Sequence, residues 1–329
     1  MEFINPEKLR TEHFTKAYDK TNASNPSILK EFGRPKPVGS NIINLVRSDK
    51  KVQVLEPAAK GNPNAPIYKD EDKKPVNLYR FPYETTITQE ELGKVILNSG
   101  KLSPVKLAEL TTEHMDDHKD NRLETLIHMA YGAIKGKLLS GKGMPLQDYY
   151  SLFDLTKKEF TLNLYDQTED VPSKLLELFE HLEKVADGSK MQYDGIKSRI
   201  DRDSIARILS HKSVLEEGGE LAKANLMQFR NKPKEPIELF GITFVPDNAP
   251  QLKNDGSVYP SVLKGLFSMV RYTPPLMGKQ RATGDGTVLS IQPGPHDEYQ
   301  NIQTTSHNLA ICHDPTLLVG LKTVKTAPN

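Results

Sequence analysis

Apolar residues along the chain recur with two periods, and the switches between them mark the elements. Steps of four, three and four link Leu123, Ile127, Ala130 and Ile134, and Leu126, Ala133 and Leu138 widen that face, so residues 105–140 are predicted to be mainly a long helix. Its polar middle, residues 113–122, is expected to face solvent or to break the helix locally, and Gly141 and Gly143 to stop it. A second helix is predicted around Leu175, Phe179, Leu182, Val185 and Ala186, with Pro172 near its start and Gly188 just past its end. A third is expected near residues 204–217. Period two appears at Phe160, Leu162 and Leu164, which predicts a strand, and Phe240-Gly241-Ile242-Thr243-Phe244-Val245 reads as the best buried strand. The end of the chain reads as an alternating polar strand from Tyr299, a short apolar strand, a break at Pro315 and a final apolar strand.

The first third has a different character. Residues 1–46 show little periodicity and several breakers, Asn25-Pro26 and Gly33-Arg34-Pro35-Lys36-Pro37 among them, and predict an extended arm with one helical turn between Pro6 and Tyr18. A hairpin follows. Lys51-Val52-Gln53-Val54 is its outgoing strand and Val76-Asn77-Leu78-Tyr79-Arg80-Phe81 its return. Between them runs a long tip with Pro57, Gly61, Pro63 and Pro66, then the charge cluster Lys69, Asp70, Glu71, Asp72, Lys73 and Lys74. A loop of this length inside a compact domain is expected only where it is functional or reaches a partner, and partner contact is the favoured reading. Lys60, Pro63, Pro66 and residues 69–74 are therefore the candidate contact residues, with charges of both signs suited to pairing with a neighbour. Strands and helices in this order predict an α+β fold, not regular βαβ units.

Composition narrows the partners. The 329 residues carry 44 Lys and Arg against 43 Asp and Glu, so no global basic field calls for nucleic acid. Residues 1–50 hold nine basic and six acidic side chains, a small local excess. Cys312 is the single cysteine, which excludes an intramolecular disulfide, and its apolar surroundings predict a buried small hydrophobe rather than a thiolate nucleophile. No apolar run approaches signal-peptide or membrane-span length, and the chain is expected to be soluble where it folds, in the cytosol. A hydrophobic content of 36% without tryptophan is low for this length and predicts much extended arm and loop.

Chemical motifs are incomplete. Residues 136–143 nearly spell a phosphate-binding loop, but Gly143 stands where a hydroxyl must follow Lys142, and the segment ends a helix instead of opening one. His114, Asp117 and His118 could grip a divalent metal, which would make a metal-dependent enzyme the alternative reading. A third ligand at familiar spacing and the general-base Glu are missing, and a solvated polar helix face explains the same residues. His211, His296, His307 and His313 have no partner in the sequence. No catalytic, cofactor or metal residue is expected.

An ordered set of blocks over residues 105–325 resembles the lambda-type (capsid E) family of phage major capsid proteins. It comprises Leu146-Gln147-Asp148-Tyr149-Tyr150-Ser151-Leu152-Phe153 before the Phe160–Leu164 strand, then Asp170-Val171 and Tyr193-Asp194-Gly195-Ile196. Next come Asp203 with Ile208-Leu209-Ser210-His211-Lys212-Ser213-Val214, the Phe240-Gly241-Ile242 strand, and Tyr259-Pro260 through Gly265-Leu266-Phe267 to Tyr272-Thr273-Pro274-Pro275. The closing strands complete it. Lys212 and Asp314 replace the family's usual Pro and Arg, and Ser306-His307-Asn308 replaces its Ser-Asn-Pro turn.

The resemblance implies an HK97-like capsid fold with an N-terminal arm (1–46), an E-loop hairpin (47–84), a P-domain with a long spine helix (85–168), an A-domain (169–300) and C-terminal strands (301–329). It implies a structural subunit of hexamers and pentamers in an icosahedral or prolate head around double-stranded DNA, with a portal, no cofactor, no membrane and room for a decoration protein. Scaffolding is expected from a separate chain, because the arm lacks sustained heptads. An encapsulin-like compartment shell is the alternative that shares the fold.

Overall fold

The structure, a computed structural model, describes residues 11–20, 27–48, 71–95, 103–189, 192–262, 265–278, 280–293 and 299–325. In chain order the elements are α1 (Thr11–Lys20), α2 (Ser27–Phe32), β1 (Lys36–Val38), β2 (Ile42–Ser48), β3 (Glu71–Asn77), β4 (Tyr79–Thr88), α3 (Gln89–Val95), α4 (Pro104–Ile134), β5 (Lys137–Leu139), β6 (Pro145–Asp148), α5 (Tyr149–Leu152) and β7 (Lys158–Asn163). Then follow α6 (Val171–Ser189), β8 (Tyr193–Ile200), α7 (Arg202–Ser210), α8 (Lys212–Glu217), α9 (Gly219–Asn231), β9 (Ile237–Leu239), β10 (Ile242–Pro246), β11 (Asp255–Val262), β12 (Phe267–Tyr272), β13 (Arg281–Ala282), β14 (Val288–Pro293), β15 (Tyr299–Cys312) and β16 (Val319–Val324). The mixture is α+β.

The chain divides into two compact units. The first comprises residues 1–44, 75–130 and 267–311. Its sheet runs β1-β12-β15-β14-β13, with β4 also paired to β15. The antiparallel register sets Tyr83 opposite Thr304 and Thr85 opposite Ile302, while Leu289 and Ile291 of β14 oppose Thr304 and Ile302. Because residues directly opposite share a face, Ile87, Ile302, Leu289 and Ile291 fall on one side. They pack with Met115 of α4 and with Phe14 and Tyr18 of α1.

The second unit comprises residues 45–74, 131–266 and 312–329. A six-stranded mixed sheet, β7-β16-β11-β8-β10-β9, carries alternating apolar residues: Phe160 and Leu162, Val319 and Leu321, Ile242 and Phe244. Helix α6 lays Leu175, Leu178, Leu182 and Ala186 into the same core, at the three- and four-residue steps of one helix stripe. Each of these leucines contributes about 1.5–3 kcal/mol on full burial.

Several expectations are corrected. Residues 11–20 and 27–38 are not simply extended: the helical turn expected before Tyr18 is the ten-residue α1, α2 and β1 follow, and Phe14 and Tyr18 are buried. The proposed outgoing strand 51–54 lies outside the described residues, and the strand that pairs with β3 is β2, nearer the N-terminus. The return begins early, because Glu71, Asp72, Lys73 and Lys74 are already in β3 and not in a tip. The long helix ends at Ile134, since Gly136, at φ 76°, turns the chain into the β5–β6 hairpin. Helix α6 runs through Gly188, and residues 204–217 are two helices, broken where His211 takes an extended ψ of 139°. Phe240 and Gly241, both at positive φ, form the turn before β10 rather than its first residues. The polar and short apolar strands expected after Tyr299 are one continuous β15, while the final strand beyond Pro315 is separate, as β16.

Candidate functional site

Of the candidate contact residues, Lys60, Pro63, Pro66, Lys69 and Asp70 lie outside the described residues. Glu71, Asp72, Lys73 and Lys74 sit on β3. The base of this hairpin is held by the Leu78 amide, which donates to the Asn41 carbonyl at 2.8 Å.

The α4 residues weighed as metal ligands are used differently. His118 is only 1% exposed and lies between two hydroxyls, Thr85 Oγ1 on Nε2 and Thr304 Oγ1 on Nδ1, each at 2.7 Å. A neutral imidazole donates from one nitrogen and accepts at the other, and a hydroxyl can answer either role. Burial, aided by the nearby His114, brings its pKa down to about 4. Both ring nitrogens are therefore occupied, Asp117 is exposed, and His114 Nε2 stands 4.0 Å from Glu91 Oε1. Among the described residues no group of three His, Cys, Asp or Glu is placed to hold a metal ion. The expectation at 113–122 holds in part: Glu113, Asp117, Asp120 and Asn121 face solvent, but α4 is continuous there, and Met115 and His118 are buried.

One turn further along α4, Arg122 Nη1 meets Asp285 Oδ2 at 2.8 Å. Tyr18 of α1 donates its hydroxyl to the same Oδ2 at 3.2 Å, and Lys119 Nζ donates to the Tyr18 carbonyl at 2.8 Å. Burial pushes the Asp285 carboxyl up, but Arg122 and hydrogen bonds from Thr283 and Thr287 outweigh it and hold it below the usual range. The Gly284 amide donates to Asp19 at 2.9 Å. Helix α1 is thus fixed by its two buried aromatics and by this polar network. Its ten residues are fewer than an isolated helix needs in water.

The second unit has its own buried anchors. Arg199 donates from Nη1 to Asp247 Oδ2 at 3.0 Å and from Nε to Tyr259 Oη at 3.1 Å, and Tyr131 donates to the same Asp247 oxygen at 2.6 Å. Asp201 caps α7 by accepting from the Ser204 amide at 3.0 Å and the Ser204 hydroxyl at 2.6 Å. It also accepts from the Asn254 amide at 2.9 Å and Lys325 Nζ at 2.8 Å. Burial opposes its ionisation, yet the bonds from Lys325, Ser204 and Asn254 prevail and bring its pKa down to about 2.

His211, without a partner in sequence, receives Ser213 Oγ on Nδ1 and meets the Asp166 carbonyl through Nε2, both at 2.9 Å. Cys312 is fully buried, and desolvation pushes its thiol pKa far up, as expected of a small hydrophobe. The segment resembling a phosphate loop is a helix end and a tight hairpin whose Gly143 amide bonds the Ser140 carbonyl at 2.8 Å. Asp201 three residues ahead of Ser204 was a readable cap signal. Arg122, Asp285 and Arg199 carry no local signal, because their partners lie far away in the chain.

Among the described residues these groups form no complete catalytic constellation; most of them pair inward and tie elements together. The family model described as "Phage major capsid protein E" matches residues 14–323. No curated protein sequence matches the chain. Among solved structures, it is similar to a phage-related protein from Bordetella bronchiseptica RB50, with 10% identity, 95% of this chain and 96% of that one covered, and a TM-score of 0.53. It is also similar to the mature capsid of bacteriophage PhiM1, with 13% identity, 94% and 90% covered, and a TM-score of 0.52. At these identities the likeness concerns the fold, which is the HK97-like capsid fold.

Proposed function

The chain belongs to the phage major capsid protein E family and is a structural subunit of a virion capsid, and from that premise we propose how it is used. It assembles into the hexamers and pentamers of an icosahedral or prolate head, enclosing double-stranded DNA through sequence-independent contacts. Its further partners are a portal, a separate scaffolding protein and, on the outer surface, a decoration protein. Assembly takes place in the bacterial host cytoplasm, and the subunit has no catalytic turnover. The single observation that carries this reading is a family match extending over residues 14–323, both compact units included.

The physical pattern is consistent with it. A subunit of a thin array can spend residues on surface that neighbours later cover. Large apolar side chains stand exposed in both units, Leu276 and Met277 side by side in the first, and Leu176, Leu221 and Met227 in the second. Rings of identical subunits make heterologous contacts that close, so such patches need not be self-complementary.

The E-loop is the intersubunit clasp of this proposal. Strand β2 ends at Ser48 and β3 starts at Glu71, a separation too long for a compact hairpin turn. Lys60, Pro63, Pro66, Lys69 and Asp70 supply its contacts, and rim ion pairs worth about 0–1 kcal/mol each set register more than strength. Glu71, Asp72, Lys73 and Lys74 would contribute from the strand. The test replaces residues 60–70 by a short Gly-Ser turn and leaves β3 intact. Circular dichroism and melting of the subunit should be unchanged, while electron microscopy should show assembly lost or its curvature altered. Normal shells from the shortened chain would remove the clasp from the proposal.

A further inference from the structure

In the first unit a cleft of about 180 Å³ opens between α4, β4 and β15. One helix stripe lines it with His118, Asn121, Arg122 and Thr125, and the cross-strand pairs Tyr83–Thr304 and Phe81–Ser306 line it from the sheet. A site that admits one water needs roughly 10–15 Å³, so the cleft has room for a polyatomic group together with solvent.

Its polar groups fall into two classes. His118 is saturated by Thr85 and Thr304, and the Thr125 hydroxyl donates to the Asn121 carbonyl at 2.8 Å. Arg122 is far from saturated. Its guanidinium has five N–H donors, its hydrogen-bonded partner among the described residues is Asp285 on Nη1, and Nε is buried without an acceptor. The hydroxyls of Ser306 and Tyr83 also have no hydrogen-bond partner among the described residues. Asn121 spends its Nδ2 on the Asp117 carbonyl at 2.9 Å and offers an acceptor oxygen, whereas Arg122 and the two hydroxyls can all donate, and the strongest of these, Arg122, can only donate. The complementary ligand is therefore an acceptor with several oxygens.

We propose that this cleft is a subsite for one oxyanion group, a carboxylate or a phosphate, held by the unpaired donors of Arg122 together with the Ser306 and Tyr83 hydroxyls. A guanidinium binds such groups in a planar two-point fashion that an ammonium cannot reproduce. Asp285 already takes part of the charge of Arg122, so binding is weaker than at an unpaired guanidinium. Within a shell the oxyanion comes from an acidic side chain of a second copy of this chain. That source rests on the capsid reading above; the subsite itself does not.

The experiment titrates purified unassembled subunits, full chain, with inorganic phosphate and with acetate, by calorimetry and by chemical shifts of labelled arginine side chains. Wild type should saturate with both anions. Arg122→Gln should abolish saturation, Arg122→Lys should weaken it at least tenfold, and Ser306→Ala should weaken it a few-fold. Because Arg122→Gln disturbs the contact with Asp285, circular dichroism checks its fold, and Ser306→Ala, which breaks no side-chain hydrogen bond, keeps the test decisive. Phosphate that saturates subunits but not assembled shells identifies the second copy as the source, whereas saturation of both identifies free phosphate. Absence of saturable binding to wild-type subunits, or saturation unaltered by all three substitutions, overturns the proposal. A chain that fails to assemble would refute the capsid source and leave the subunit titration readable.

Discussion

Replacing Asp201 by alanine removes four hydrogen bonds that join the start of α7 to Asn254 and to Lys325. Loss of the N-cap costs about 1 kcal/mol. The Lys325 side chain, 12% exposed, loses one of its two acidic partners and keeps Asp203 at 2.8 Å, and a hydrogen bond to a charged group is worth about 1.5–3 kcal/mol. The Ser204 hydroxyl still has Thr323 Oγ1 at 2.8 Å, so its share of the loss is small. The sum is on the order of 3 kcal/mol, or roughly 6–12 °C in the melting of a unit of this size. Asp201→Asn retains an acceptor for the cap and should lose about half as much.

The pH dependence has a definite sign. The folded pKa, about 2, lies below the ordinary 3.8, so the stabilisation is fully present above about pH 4 and is lost as pH falls through 2. Thermal melting of unassembled subunits followed by circular dichroism should show a wild-type advantage that is constant from about pH 5 to 7 and shrinks from about pH 4 to 2. An Asp201→Ala melt within about 2 °C of wild type at neutral pH would refute the reasoning. So would a gap that persists unchanged into acid.

Burial holds the pKa of His118 at about 4, below the usual 6.5, so the unfolded chain takes up the extra proton and stability should fall as pH drops from about 6.5 to 4. His118→Gln should remove that slope from the acid-melting profile, and a slope identical to wild type would show that His118 is not its source. The Cys312 thiol, fully buried and with its pKa pushed up, should resist maleimide in native subunits and react only after denaturant is added, as mass spectrometry would show. Gly136→Ala should cost at least about 1–3 kcal/mol in urea unfolding, because the left-handed backbone at φ 76° disfavours a side chain. A Cβ there would also fall 2.3 Å from the Tyr150 ring, and an unchanged midpoint would contradict that packing.

The elements that could be read from the chain are those in which one apolar face meets the core. Leu175 and Leu182 of α6 and Phe160 and Leu162 of β7 follow their periods because water rejects a fixed side of each element. The same logic, joined to the ordered blocks over residues 105–325, made the α+β capsid architecture and the structural role legible. Element ends were less so. Gly188 stayed inside its helix and Gly136 ended another, since a glycine permits a turn without requiring one.

What the amino-acid sequence determined alone is the order and type of the periodic elements and the family they compose. Tertiary structure decided the fate of the polar positions. Residues 113–122 read as a solvated or broken stretch because polar side chains fill it, yet α4 runs through unbroken, and Met115 and His118 turn into the core while Glu113, Asp117, Asp120 and Asn121 stay exposed. His118 is satisfied by hydroxyls 33 and 186 residues away in the chain, and Arg122 meets its charged partner, Asp285, across the second unit's sequence. A polar side chain can be buried only where a partner waits for it, and a partner so distant in sequence is brought within hydrogen-bonding distance by the fold alone.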